Sequence, residues 1–150
     1  MSFMERWFQG FGEGLEKMSR EERGRLFQGC ASMCGKDALK YLYADLFAEC
    51  EGNLDCFFGR LHELKKVDGV VVIPGKEYEI RFLSCDCDLH TKMNVNTPKL
   101  CECSRQSITY WLGQLLPEEK FLVEEIETIL GGHEKCRFRI VKKEENYGDV

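Results

Sequence analysis

The periodicity of apolar residues changes near residue 66, and this change limits the chain to folds that join a helical half to a sheet half. Up to that point apolar side chains recur at three- and four-residue steps, the helical spacing. Phe3, Trp7, Phe8, Phe11 and Leu15 mark one buried helix face. Ser19-Arg20-Glu21-Glu22 is a capping box, in which the Ser19 hydroxyl and the Glu22 carboxylate each accept from the other residue's backbone N–H. It predicts a second helix from about residue 20 to Cys34-Gly35, where glycine permits termination. Asp37 is placed to cap a third helix with Leu39, Leu42, Leu46 and Phe47 on one side. The break Glu51-Gly52-Asn53 ends that helix, and Asn53 can cap a fourth containing Phe57, Phe58, Leu61 and Leu64.

Beyond residue 66 the step is two. Asp68-Gly69 and Pro74-Gly75 are turn signals around Val70–Ile73, and Tyr78, Ile80 and Phe82 alternate with polar neighbours. These features predict a hairpin running into Cys85. The polar stretch Asp86–Lys99 reads as a loop, and Ser104 can cap a helix holding Ile108, Trp111, Leu112 and Leu115, stopped near Pro117. Phe121, Val123 and Ile126, then Gly131-Gly132, then Cys136, Phe138 and Ile140 predict a second hairpin. The expected fold is α+β, with N-terminal helices packed on an antiparallel sheet that ends in a C-terminal β-hairpin. One domain is expected over residues 1–150: 1–65 mainly helical, 66–143 sheet plus one helix, and a frayed tail over 144–150.

Composition removes several function classes. The longest strongly apolar run is Val70–Ile73, against roughly 20 residues needed to span a bilayer. No basic cluster followed by an apolar core opens the chain, so no secretory signal is visible and a cytoplasmic location is expected. Net charge is −5, and the only basic runs are Lys65-Lys66 and Lys142-Lys143. A nucleic-acid binder concentrates positive charge to neutralise phosphates, so nucleic acid is not an expected partner.

Nine cysteines are too many for a chain of this size to need as staples, and an odd number cannot all pair internally. Two patterns stand out, Cys85-Asp86-Cys87 and Cys101-Glu102-Cys103. In extended backbone, residues i and i+2 point the same way, so each pair could offer two sulfurs to one point. Together Cys85, Cys87, Cys101 and Cys103 would supply the four thiolates of a structural zinc site, with zinc–sulfur distances of about 2.3 Å. Iron or an iron–sulfur cluster accepts the same ligands. Two other readings remain open: small residues packed near a loop, and a redox-active thiol pair.

Cys30 and Cys34 stand four apart on a predicted helix and face the same way, as a core stripe or as members of a site. Cys50 and Cys56 flank a turn and give no sharper signal. His90, three residues after Cys87, is the one histidine placed to join the metal ligands; His62 and His133 read as solvated. No Gly-x-Ser-x-Gly, His-Glu-x-x-His or phosphate-cradling loop is present.

Cys101-Glu102-Cys103-Ser104, a helix, Val123-Glu124-Glu125, and then Gly132-His133-Glu134-Lys135-Cys136-Arg137-Phe138-Arg139-Ile140 together resemble the 4-vinyl-reductase (hydrocarbon-binding) domain family. They are also similar to the related aminothiazoline-carboxylate hydrolase-like proteins. The likeness covers about residues 78–142. It implies helices on an antiparallel sheet, often as a homodimer, and in relatives that sense aromatic compounds a zinc ion held by a Glu and three Cys. Glu125 and Cys136 fall on matching positions and Cys101 or Cys103 lies near the third. Thr128 stands in place of the remaining cysteine, where Cys85 and Cys87 could compensate. The expected function is binding of a small hydrophobic ligand and a metal by a non-enzymatic module. The alternative is a small hydrolase or thiol-dependent enzyme, for which no catalytic set can be placed.

Overall fold

The computed structural model describes residues 1–144; the tail expected after Glu144 lies outside the described residues. The chain forms α1 (Phe3–Lys17), α2 (Arg20–Ala38), a π-helical segment (Leu39–Tyr43), α3 (Ala44–Glu49) and α4 (Leu54–Arg60). The sheet half follows with β1 (Val67–Ile73), β2 (Glu77–Phe82), α5 (Asp88–Thr91), α6 (Glu102–Leu115), β3 (Lys120–Glu127) and β4 (Cys136–Lys143). The four strands are antiparallel throughout, in the order β1-β2-β4-β3, and β3–β4 is the C-terminal hairpin. The α+β expectation is met. Among the described residues, no helix is long and apolar enough to cross a membrane.

The caps read in the sequence form. Glu22 N donates to Ser19 Oγ at 3.1 Å and Ser19 N to Glu22 Oε1 at 2.9 Å. Asn53 Oδ1 accepts from Cys56 N at 2.9 Å. The turn before it places Glu51 and Gly52 at positive φ, and Cys50 and Cys56 close it with a disulfide. From the sequence this pair only flanks a turn, and the bond between them is what the structure adds.

The structure departs from expectation in five places. Gly35 does not end α2. It is buried inside the helix, where an added Cβ would stand 2.6 Å from Tyr110 Cδ1 on α6, so it serves close approach rather than termination. The helix then runs on through the π segment, whose wider turn shifts the phase of later side chains. Leu42, placed with Leu39 and Leu46 by helical spacing, is exposed, and Tyr43 is buried in its stead. Asp68-Gly69 lies within β1 rather than in a turn, because Gly69 passes under the Phe58 carbonyl oxygen, 2.5 Å from where a Cβ would be. The polar stretch before α6 contains α5 and a 3-10 turn, Pro98–Cys101, so α6 begins at Glu102 and Ser104 lies inside it. On α1, Phe3 and Trp7 are exposed; burial on that helix centres on Leu15.

Two apolar clusters hold the fold. The larger lies between the sheet and α3, α4 and α6, where Tyr43, Phe57, Phe58, Tyr78, Trp111, Phe138 and Ile140 are all buried. Its rings meet edge-on, as at Phe57–Phe58 (centroids 5.3 Å apart), or stacked, as at Phe58–Tyr78 (4.5 Å), and Tyr43 lies tilted against Trp111 (4.4 Å). The smaller joins α1, α2 and the segment before α6 through Leu15, Phe27, Val95 and Leu100, with Cys103 at its edge. The other face of the sheet carries a lattice of ion pairs. Arg137 meets Glu79 (2.8 Å) and Glu127 (3.3 Å), Arg139 meets Glu77 (3.0 Å), and Arg81 also pairs with Glu79.

Candidate thiol site and adjoining cavity

On α2, Gly24, Phe27, Ala31 and Gly35 form the buried stripe, at steps of three and four. Its glycines lie against α6: a Cβ on Gly24 would stand 3.1 Å from Gln106 Nε2, and one on Gly35 would stand 3.3 Å from the Ser107 carbonyl oxygen. Cys30 and Cys34 each precede a buried member of the stripe, so both flank the α2–α6 seam on one side, exposed. Cys103, half-buried, is in the first turn of α6. Cys87 precedes α5 and is exposed, with its carbonyl accepting from His90 N (3.0 Å) and Thr91 N (2.9 Å).

The second Cys-x-Cys pair is therefore helical, not extended. Positions i and i+2 on a helix lie about 200° apart, so Cys101 and Cys103 point to opposite sides. Cys101 is buried with Cys136, Glu125 and Cys85 near enough that negative charge on any of them would push its thiol up. Burial is the larger cause, and Cys101 is raised to about 12 even though a hydrogen bond with Thr128 works against the rise. Cys103 is also raised to about 12, first by burial and then by Cys34, Cys87 and Cys30. Cys85 adjoins Cys87, and burial raises it as well. The four cysteines proposed as one ligand set are thus neighbours shared between two corners. Charge on Cys136 or Cys85 is felt at Cys101, charge on Cys34, Cys87 or Cys30 at Cys103, and charge on Cys87 at Cys85.

Cys136 opens β4, where its Sγ accepts from Ile129 N at 3.3 Å. Thr128 is buried beside it and uses Oγ1 to accept from Gly131 N at 3.1 Å, holding the turn between β3 and β4. Glu125 stands at the rim, its carboxyl raised by loss of solvation and by the charge of Glu102. Glu102 itself is buried. Burial pulls its carboxyl upward, but hydrogen bonds from Arg105 (2.6 Å) and Gln106 (2.9 Å) outweigh that and hold it below the usual carboxylate range.

As they stand, no three Cys, His, Asp or Glu side chains among the described residues form a group that could hold a metal ion. The donors at the Cys101 corner, three thiols and a carboxylate, are nevertheless of the kind zinc takes. Two of the three histidines are engaged elsewhere. His90 Nδ1 lies 3.1 Å from the Val95 carbonyl and His133 Nδ1 lies 3.1 Å from Glu127.

A cavity of about 380 Å³ adjoins this corner. Arg20, Arg23 and Lys99 face Glu102, Glu124 and Glu125 across it, with Pro98 and Leu122 as its apolar wall. Sequence spacing gave no sign of this cavity, because its lining comes from four separate elements. The interior between helices and sheet is filled by the aromatic side chains of the larger cluster.

No family model and no curated protein sequence matches this chain. Solved structures do. Trafficking protein particle complex subunit 3 from Naegleria fowleri, crystallised covalently bound to palmitic acid, aligns over 94% of this chain and 95% of its own, with a TM-score of 0.50 and 11% identity. The phenol-responsive sensory domain of the transcription activator PoxR, crystallised with phenol, aligns over 99% of this chain and 78% of its own, with a TM-score of 0.53 and 23% identity. The chain has the fold of these two domains. The likeness at these identities is one of fold.

Proposed function

We propose that this chain is a small-molecule-binding domain whose ligand cavity adjoins a metal-thiolate corner made by Cys85, Cys101, Cys136 and Glu125. The observation that carries the reading is the position of Glu125, which lines the cavity and also neighbours Cys101. One of the two fold neighbours was crystallised with phenol and the other with a fatty acid, which supports a ligand role for the shared architecture. So does the resemblance to hydrocarbon-binding domains. Leu122 and Pro98 suit the apolar body of a ligand, and Arg20, Arg23 and Lys99 suit a hydroxyl or anionic group on it.

Zinc is the metal that a mixed set of thiolates and one carboxylate favours, because an iron–sulfur cluster takes four thiolates. Binding requires each thiol to lose its proton and the side chains to close on the ion. A thiol enzyme would instead need a cysteine of depressed pKa beside a base. The thiols at Cys85, Cys101, Cys103 and Cys136 are all shifted upward, with burial the first cause. That observation favours the binding module.

The test is elemental analysis of anaerobically purified protein, with thermal-shift measurements for phenol, benzoate and a medium-chain fatty acid. About one zinc per chain, and a ligand-induced rise in melting temperature that Arg23→Ala and Lys99→Ala abolish, are expected. Protein that takes up no zinc on reconstitution, and a melting temperature none of the compounds moves, would overturn the reading.

A further inference from the structure

Resting on the reading of the cavity beside Glu125 as a ligand site, we infer that its ligand is a free α-amino acid with an apolar side chain. Lys99, with Arg20 and Arg23, takes the ligand's carboxylate, and Glu125, with Glu124, takes its ammonium. The reading above calls for an apolar body and a hydroxyl or anionic group. The inference adds a positive charge beside that group, and no part of it depends on a metal.

The two signs of charge reach the cavity from different parts of the fold. Arg20 and Arg23 stand at the start of α2, and Lys99 stands in the 3-10 turn Pro98–Cys101. Glu124 and Glu125 are consecutive on β3. Because β3 is an edge strand of the sheet, both can line one cavity although neighbours on a strand point to opposite faces. A surface that merely neutralised itself would pair these charges across the gap. Among the described residues, the only ion pair between two groups lining the cavity is Arg20–Glu102, at 4.0 Å. Glu102 is already held by Arg105 and Gln106, and Glu124 reaches Arg139 at 3.7 Å on the outer face of the sheet. Lys99 and Glu125 are exposed and have no ion-pair partner among the described residues, so one anchor of each sign is left open.

Two open anchors of opposite sign match a ligand that carries both charges. A phenol or a fatty acid would leave Glu125 unmatched, and a simple amine would leave Lys99 unmatched. In an α-amino acid the two charges are separated by one carbon, so each meets its own partner across a gap the protein's side chains do not close. Its side chain then falls to Leu122 and Pro98, the apolar wall. A carboxylate has two oxygens, so Glu125 can serve the ammonium with one and leave the other for the Cys101 corner. The cavity of about 380 Å³ lies near the small end of ligand pockets, roughly 300–1,000 Å³, which suits a single residue rather than a peptide.

The experiment is calorimetric titration of the full chain with L-phenylalanine and L-leucine. Two analogues that each lack one charge, 3-phenylpropionate and phenethylamine, accompany them. L-phenylalanine should bind roughly tenfold or more tightly than either analogue, because each lost charge forfeits a charge-assisted hydrogen bond. Lys99→Gln should erase the preference over phenethylamine, and Glu125→Gln the preference over 3-phenylpropionate. Both side chains are exposed, so both variants should keep the wild-type circular dichroism. A metal lost from Glu125→Gln would weaken every compound alike, so the ratio between compounds reports the ammonium contact alone. The inference is overturned if 3-phenylpropionate binds as tightly as L-phenylalanine, or if the ratios ignore both substitutions. Binding of phenol or benzoate without either amino acid would reject the amino-acid ligand and leave the cavity reading in place. Binding of no compound at all would reject both.

Discussion

Gly35 on α2 and Tyr110 on α6 touch so closely that the glycine hydrogen occupies space no methyl group could take. A Cβ there would also press on the Ser107 carbonyl oxygen of the α6 backbone. Gly35→Ala should therefore destabilise the fold by about 1–2 kcal/mol, overpacking outweighing the roughly 1 kcal/mol that alanine gains over glycine in a helix. Gly29→Ala, on the same helix with open space around it, should be neutral or stabilising. Urea unfolding of both variants checks the pair. Equal effects would show that the seam is looser than described.

Glu79 should make stability depend on acid. It is buried on the ion-pair face of the sheet, and hydrogen bonds from Arg137 hold its carboxyl low against the opposing cost of burial, with help from Arg81. A depressed folded-state pKa contributes stability that is fully present above the unfolded carboxylate range, near 4.3. That stability is lost as pH falls through the lower folded value. Glu79→Gln should cost about 1–3 kcal/mol at neutral pH, with the gap to wild type closing as the pH drops below 4. Denaturant curves across pH 2–8 measure it. A gap that holds steady through the acid range would mean the carboxylate's charge is not what matters.

Metal affinity should rise steeply with pH. Cys101 is raised to about 12 and burial raises Cys85 and Cys136 as well, so the thiols of the proposed metal corner must release protons on binding. The apparent affinity for zinc or cadmium should increase about tenfold per pH unit for each thiol proton displaced. Competition with a chelator between pH 6 and 9 gives the slope. A pH-independent affinity would mean carboxylates rather than thiolates hold the ion.

The Cys50–Cys56 disulfide closes a short loop. Removing it in Cys50→Ser/Cys56→Ser should lower stability by roughly 2 kcal/mol, the small loop limiting the entropy it removes from the unfolded chain. Thermal unfolding with and without reductant should show a matching loss in wild type and no reductant effect in the variant.

How far the sequence could be read depended on whether a signal was local. Ser19 and Glu22, or Asn53 and the turn before it, carry their meaning within four residues, and they form as expected. Cys136, Phe138 and Ile140 alternate and are all buried, as expected of strand residues against a core. Gly35 misled because its local reading is a helix stop, while its actual reason, Tyr110, is distant in the chain. The two Cys-x-Cys pairs look identical in sequence, yet one sits in a loop and the other crosses into a helix. That difference in backbone sends Cys101 and Cys103 to opposite corners. The cavity beside Glu125 could not be read at all, since Arg20, Lys99 and Glu125 meet only in three dimensions.

The π segment Leu39–Tyr43 works as a phase adjuster in an otherwise unbroken rod. Ahead of it, the rod's buried edge is Phe27, Ala31 and Gly35; behind it, the edge is Tyr43 and Leu46. Excising one residue from this stretch would let it relax to α-helical winding and would rotate the two halves by about 100° against each other. If Tyr43 stayed against Trp111, the Phe27, Ala31 and Gly35 edge would swing away from α6. If that edge stayed on α6, the ring would leave the interior. A deletion scan would find residues 39–43 intolerant although Lys40, Tyr41 and Leu42 all face solvent.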